Sequence, residues 1–270
     1  MLPHERGLSA APLAPTIENC FAPLPNEEMT AEVVISNRNA AHSFPPEVRD
    51  LYEAWVEFEA IDASGKTIYR SGFLKPDGLL DESAHVYRQV ILDEQARPIT
   101  RHQIWLTNIK AYDNAIPPGR SDIARFRFRM PESHQPVTLR ARVNYRRFNQ
   151  EYTDYVLARQ KRQLTLPVVR MAEAVIAIAA HDHQLMPAKH ATVRHSQTEI
   201  PQWKRWNDYG IGLLEQAQHS QAAEAFHQAA TLNPSDPNLP VNQAIAEMRT
   251  EKFSQVREQW HRAESLLDAA

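Results

Sequence analysis

The sequence predicts two folds in series, all-β and then all-α: an antiparallel, immunoglobulin-like β-sandwich over residues 29–168, then helical hairpins over residues 201–270. Three observations carry this reading. The first region holds about seven or eight short segments with period-two alternation and no helical pattern between them. Beyond Pro201 the apolar spacing becomes helical. There, a self-similar unit also repeats at a spacing of about 34 residues.

Bulk properties set the outer limits. The chain has 270 residues, 43% of them hydrophobic and 23% charged, a composition suited to packed cores. A net charge of −3 gives no field that would draw nucleic acid or an anionic membrane. No apolar run approaches the roughly 18 residues of a membrane span. A single cysteine, Cys20, excludes an internal disulfide and any CxxCH haem attachment. Met1-Leu2-Pro3-His4-Glu5 lacks the basic head and apolar core of a signal peptide.

Residues 1–28, rich in Pro and Ala, read as an extended leader that adds at most an edge strand. Glu32 to Asn37 is β-branched and apolar. Ala54, Val56, Phe58 and Ala60 alternate with Trp55, Glu57 and Glu59. The turn from Asp62 to Lys66 and the resumption at Thr67 make a hairpin. Val86 to Leu92 and Gln103 to Tyr112 are expected to be extended. Two strands are sharper. Phe126, Phe128 and Met130 alternate with Arg125, Arg127 and Arg129. Leu139, Ala141, Val143 and Tyr145 alternate with Arg140, Arg142 and Arg146. Met171 to Ala180 is expected to be helical. Residues 169–200 as a whole read as that helix and a histidine-rich linker.

Residues 203–236 match the tetratricopeptide repeat. Trp206, Gly210, Ala222, Phe226, Ala229 and Pro234 fall on its signature positions, with Tyr209 and Leu213 as further large residues. Small residues let two helices approach, aromatics fill the gap between them, and Pro234 after Asn233 ends the second helix. Residues 237–270 repeat the pattern weakly through Trp260 and Ala263. Such arrays usually need at least ~3 units, so two imply a cut chain, a packing partner or an oligomer.

Three constellations could carry chemistry. Arg125, Arg127 and Arg129 would line one outer sheet face and Arg140, Arg142 and Arg146 that of another strand, and if the two strands pair, like charges would repel across the ladder. They need anions: either an internal lattice with Glu53, Glu57 and Glu59, or an acidic partner or ligand carboxylate. His181, His183, His190 and His195 crowd the linker, and His181, His183 and His190 could seed a zinc or copper site. The tandem prolines of Ala41-His42-Ser43-Phe44-Pro45-Pro46 would hold His42 on an extended loop at a sheet end. No GxSxG, P-loop, GxGxxG or HExxH pattern is present, and no residue is nominated for catalysis.

The β-region resembles a family of exported multihaem c-type cytochromes that carry C-terminal tetratricopeptide repeats. The matching residues are Asn37 to Pro45, Asp50-Leu51-Tyr52-Glu53-Ala54-Trp55, Ser71-Gly72, Leu80-Asp81, Ala84-His85, Pro118-Gly119-Arg120 and Asn144 to Asn149. Trp206-Asn207-Asp208-Tyr209-Gly210 also matches. The likeness spans roughly residues 30–236. The family's CxxCH motifs, which lie upstream of the β-domain, are missing here, and Ala41 stands where the family usually has glycine. The resemblance implies a periplasmic protein, an internal start at Met1, and haem c carried on a missing or partner domain, with none bound covalently here. His42, and less directly His85, would be distal haem ligands. The expected function is a non-catalytic accessory module of an electron-transfer protein whose helices bind a partner protein. The alternative is a periplasmic metal- or ligand-binding protein using the histidine-rich segment.

Overall fold

A computed structural model describes residues 7–9, 23–38, 40–133, 135–178 and 200–268. The β-region comprises β1 (Gly7–Ser9), β2 (Glu28–Ser36), β3 (Glu53–Ile61), β4 (Thr67–Ser71), β5 (His85–Tyr87), β6 (Gln89–Leu92), β7 (Ile109–Asp113), β8 (Ser121–Arg129) and β9 (Val137–Arg146). Helix α1 (Gln150–Leu157) and strand β10 (Val169–Ile178) complete it. Helices α2 (Gln202–Glu215), α3 (His219–Leu232), α4 (Asn238–Met248) and α5 (Phe253–Asp268) follow, each packed on the next.

One sheet runs β1-β2-β8, with β1 parallel to β2 and β2 antiparallel to β8. The second runs β10-β9-β3-β4, all antiparallel, with β5 also paired to β3. Strands β6 and β7 form a separate ribbon. Alternation decides what lies between the two main sheets. Met29, Ala31 and Val33 of β2 and Phe126 and Phe128 of β8 meet Val56 and Phe58 of β3 and Leu139 and Ala141 of β9 in one buried cluster. Phe58 stacks flat on Phe126 at 4.5 Å, which ties sheet to sheet.

Over Val169–Ile178 the structure has strand β10 where a helix was expected from Met171, so the β-region extends beyond 168, at least to Ile178. Helix propensity of alanine is worth only tenths of a kcal/mol per residue, about 0–0.7. The free edge of β9 offers a whole ladder of backbone partners, from Tyr145 opposite Val169 to Val137 opposite Ile178. The strand phase also sends Ile176 and Ile178 into the core and Glu173 out beside Arg142. The single strand expected from Val86 to Leu92 is two, β5 on β3 and β6 on β7. Between them the Arg88 N–H donates to Asn114 Oδ1 at 2.8 Å. Within Gln103 to Tyr112, Ile104–Leu106 forms a short 3-10 turn before β7 begins. Helix α1 is unanticipated. It starts where the Asn149 side chain accepts the Tyr152 N–H at 2.8 Å, an N-cap.

Candidate functional site

The loop after β2 is stitched on both sides. Asn37, nearly buried, donates from Nδ2 to the carbonyls of His42 (2.9 Å) and Ile116 (2.8 Å). Phe44 and Ile116 exchange backbone hydrogen bonds of 2.9 and 2.8 Å, across a segment with a cis Phe44–Pro45 bond. The Phe44 ring sits edge-on to buried Tyr87 at 6.0 Å. Ala41 is not among the positive-φ residues, so the loop closes without the glycine. His42 is left exposed on this braced loop. Its Nδ1 lies 2.9 Å from the Ser43 carbonyl, which can only accept, so Nδ1 carries the proton. In the neutral ring the lone pair is then on Nε2, which has no hydrogen-bond partner among the described residues. An imidazole in that state is ready to ligate a metal.

The next residues along the chain anchor an apolar arch. Arg49 Nη2 donates to Asp113 Oδ2 at 2.9 Å, and His102 Nδ1 lies 2.7 Å from Asp50 Oδ2. His102 takes φ +55°, a left-handed conformation that the Asp50 contact and its neighbours must hold. Between these anchors Ile104, Trp105, Leu106, Ile109 and Tyr112 are all exposed, Trp105 to 76%. Five large apolar side chains within nine residues of sequence are thus left in water, where each covers nothing of the core.

Four of the five stripe arginines meet carboxylates of the chain itself. Strands β8 and β9 lie in different sheets, so the repulsion expected between them does not arise. Each pairs with a glutamate-bearing strand. Arg125 Nε donates to Glu32 at 2.7 Å, and Arg127 lies 3.5 Å from Glu28 while staying 73% exposed. Arg129 donates to the Asn26 carbonyl at 2.9 Å. On the other sheet Arg142 meets Glu57, Glu59 and Glu173 at 3.1, 3.4 and 2.9 Å, and Arg140 meets Glu59 at 3.4 Å. Arg142 holds the Glu173 carboxyl below its usual value. Arg146, expected on the outer face, is fully buried instead, because α1 and the turn at Gly78 cover that end of β9.

Helix α2 seats on the outer face of the β2-β8 sheet. Gly212 allows this: a Cβ there would lie 2.7 Å from Ile123 Cγ1. Gly210, two residues earlier and so on a different face, gives the same room to the buried Phe226 ring of α3 at 2.6 Å. Ile123 and Val34 pack with Leu213 in a second core. Around it, Tyr209 donates to Glu32 at 2.5 Å, Arg125 reaches Gln216, and Arg38 pairs with Asp208.

Asp122 is the hub of this junction. Its Oδ2 faces His85 Nε2 at 2.7 Å and accepts from Tyr87 at 3.1 Å, and its Oδ1 accepts from Gln216 Nε2 at 2.8 Å. Burial pushes the Asp122 carboxyl up, but the His85 contact and the donated hydrogen bonds outweigh it, and the net shift is downward. His85 therefore has its Nε2 engaged, unlike His42. Asp122, Gln216 and Gly212 were not legible as junction residues, because nothing local marks a side chain whose partner lies about 90 residues away. The proposed metal ligands His181, His183 and His190 lie outside the described residues. Among the described residues no group of three or more His, Cys, Asp or Glu could hold a metal ion. No described helix is long and apolar enough to cross a membrane.

The described chain is thus a two-part scaffold: packed antiparallel sheets carrying four consecutive helices, with an open histidine and an apolar arch on the sheet part. No family model matches the sequence, and no curated protein matches it. Among solved structures, the chain is similar to a penta-heme cytochrome c552 from Thermochromatium tepidum, at 16% identity and a TM-score of 0.42. The similarity covers 58% of this chain and 38% of that one. A likeness this remote defines neither fold nor function.

Proposed function

We propose that the chain is a non-catalytic docking module of a multihaem-cytochrome-type electron-transfer protein, working in the periplasm. The β-part would pack against a haem-bearing domain through the arch, and His42 would supply a ligand to the haem iron. The observations that carry this reading are His42, whose Nε2 has no hydrogen-bond partner among the described residues, and the exposed apolar arch, whose anchors Arg49 and Asp50 lie on the stretch of chain that follows His42. The residue-by-residue likeness from Asn37 to Pro45 supports it. A haem iron bound there would supply the one-electron chemistry. This chain's own part is to present a rigid imidazole and exclude water around it.

Helices α2 to α5 are read as two tetratricopeptide-like hairpins that bind a partner protein. The support is the spacing of Trp206, Gly210, Ala222, Phe226 and Pro234 and the close approach of Gly210 to Phe226.

The test uses the full chain and a haem undecapeptide with one open axial position as probe. A low-spin Soret change that disappears in His42→Ala and persists in His85→Ala is the expected result. Identical spectra for the parent chain and His42→Ala would count against the ligand role.

A further inference from the structure

We infer that the outer face of the β10-β9-β3-β4 sheet holds a binding site for a small organic carboxylate, one negative charge on a short apolar body. The inference goes beyond the haem-docking reading and uses none of its residues. Strand register builds the site. On that face Arg170 lies opposite Asn144 and Asn144 opposite Trp55. In the next row Glu173 lies opposite Arg142 and Arg142 opposite Glu57, and in the third Arg140 lies opposite Glu59 and Glu59 opposite Arg70. These rows and the Gly72–Leu74 segment border a cavity of about 340 Å³, at the low end of the range for small-molecule sites. Arg70, Arg142 and Arg170 all line it, one each from β4, β9 and β10.

The charge count on this face selects the ligand. Arg70, Arg140, Arg142 and Arg170 share Glu57, Glu59 and Glu173, and no further carboxylate pairs with them among the described residues, so four guanidinium groups meet three anions. The shortfall falls on the cavity. Arg70 stands 3.9 Å from Glu59 and donates no hydrogen bond among the described residues, yet its guanidinium is held 4.5 Å above the Phe73 ring. Arg142 gives Nε and Nη1 to carboxylates and leaves Nη2 unused, and Arg170 uses only Nη1. Arg70 and Arg170 are about half exposed, so a solute reaches these donors from water. A carboxylate takes the free edge of a guanidinium as a fork and brings the missing charge, whereas a second negative charge would face Glu57 uncompensated. Leu74 and Val168 supply apolar wall for the body of the ligand, and the buried Trp55 indole is pinned by its 2.7 Å hydrogen bond to the Gly72 carbonyl. Gly72 takes φ +76° with no room for a Cβ against the Val56 carbonyl, and its N–H donates to Asp81. The site is therefore ordered before a ligand arrives, which removes much of the entropy loss of binding.

The experiment uses the full chain with isotope-labelled nitrogen, at constant ionic strength set with sodium chloride. Sodium benzoate is the probe and benzamide its uncharged counterpart. Saturable benzoate shifts of the Trp55 indole N–H and the Gly72 amide are expected, with a dissociation constant of about 1 mM or tighter. Affinity should be about tenfold lower for benzamide, and about tenfold lower in Arg70→Gln or Arg170→Gln, half-exposed positions where a lost ion pair barely affects folding. Phthalate, with its second carboxylate, should bind more weakly than benzoate. No saturable shift at millimolar benzoate, equal binding of benzamide, or indifference to both substitutions would overturn the site. Tighter binding of phthalate would overturn the charge count on which it rests. None of these measurements touches His42, so the haem-ligand reading stands or falls separately.

Discussion

Removing the Arg146 guanidinium should cost the β-part about 3–5 kcal/mol, the range for breaking a buried ion pair from one side. Arg146 is fully buried at the end of β9. Its Nε donates to Glu53 Oε2 at 2.8 Å, and Nη2 reaches the same oxygen. Its Nη1 also serves the Gly78 carbonyl at 2.9 Å and Gln150 Oε1 at 3.3 Å. Arg146→Met therefore strands one carboxylate that is only 15% exposed and deprives two further acceptors, which keeps the loss within that range.

The pH dependence carries a definite sign. Burial already raises the Glu53 carboxyl above its ordinary 4.5, against the pull of Arg146, and losing Arg146 raises it further. A group with a raised folded pKa favours the fold below its ordinary value and loses that contribution as pH rises through the folded one. The deficit of Arg146→Met should then be largest at neutral pH and shrink as pH falls toward 4.5. Urea unfolding followed by circular dichroism at both pH values reads this out. The double variant Arg146→Met/Glu53→Leu should regain most of the loss, because an apolar pair needs no compensating charge. A deficit below about 1 kcal/mol at pH 7, or one that grows on acidification, would refute the account.

Gly210→Ala should lower the melting temperature of the helical part. The new methyl would meet the buried Phe226 ring, and overpacking of about 1–3 kcal/mol exceeds the roughly 1 kcal/mol gained in helix propensity; a raised melting temperature would contradict this. Asp122→Asn tests the junction. The folded carboxyl is held below its ordinary 3.8, so its stabilising contribution is present above that value and lost as pH falls through the folded one. The variant should melt below the parent at pH 7, and the gap should close in strong acid. A gap independent of pH would remove Asp122 from the hub.

Several of the short segments singled out in the sequence hold scaffold positions. Asn37 stitches the His42 loop, and the Gly72 N–H donates to Asp81 at 3.0 Å. The Trp55 indole donates to the Gly72 carbonyl at 2.7 Å, and Asn149 caps α1. These residue types suit loop and turn duties, so such segments stand out in the sequence before their partners are visible.

The sequence by itself determined what repeats along the chain. The alternation of β2, β3, β8 and β9, the outward arginines and glutamates, and the helical spacing with Asn233 at the end of α3 follow from local geometry with periods of 2 and 3.6. Tertiary structure decided which element lies beside which. It made the Ala-rich segment a tenth strand, paired each arginine strand with a glutamate strand, and buried Arg146. It also engaged His85 with Asp122 while leaving His42 open. The physical reason is common to all four. Period fixes the face a side chain takes, whereas a hydrogen bond or ion pair between residues 31 to 94 positions apart, such as Arg142 with Glu173 or Asp122 with Gln216, exists only once the strands and helices have packed.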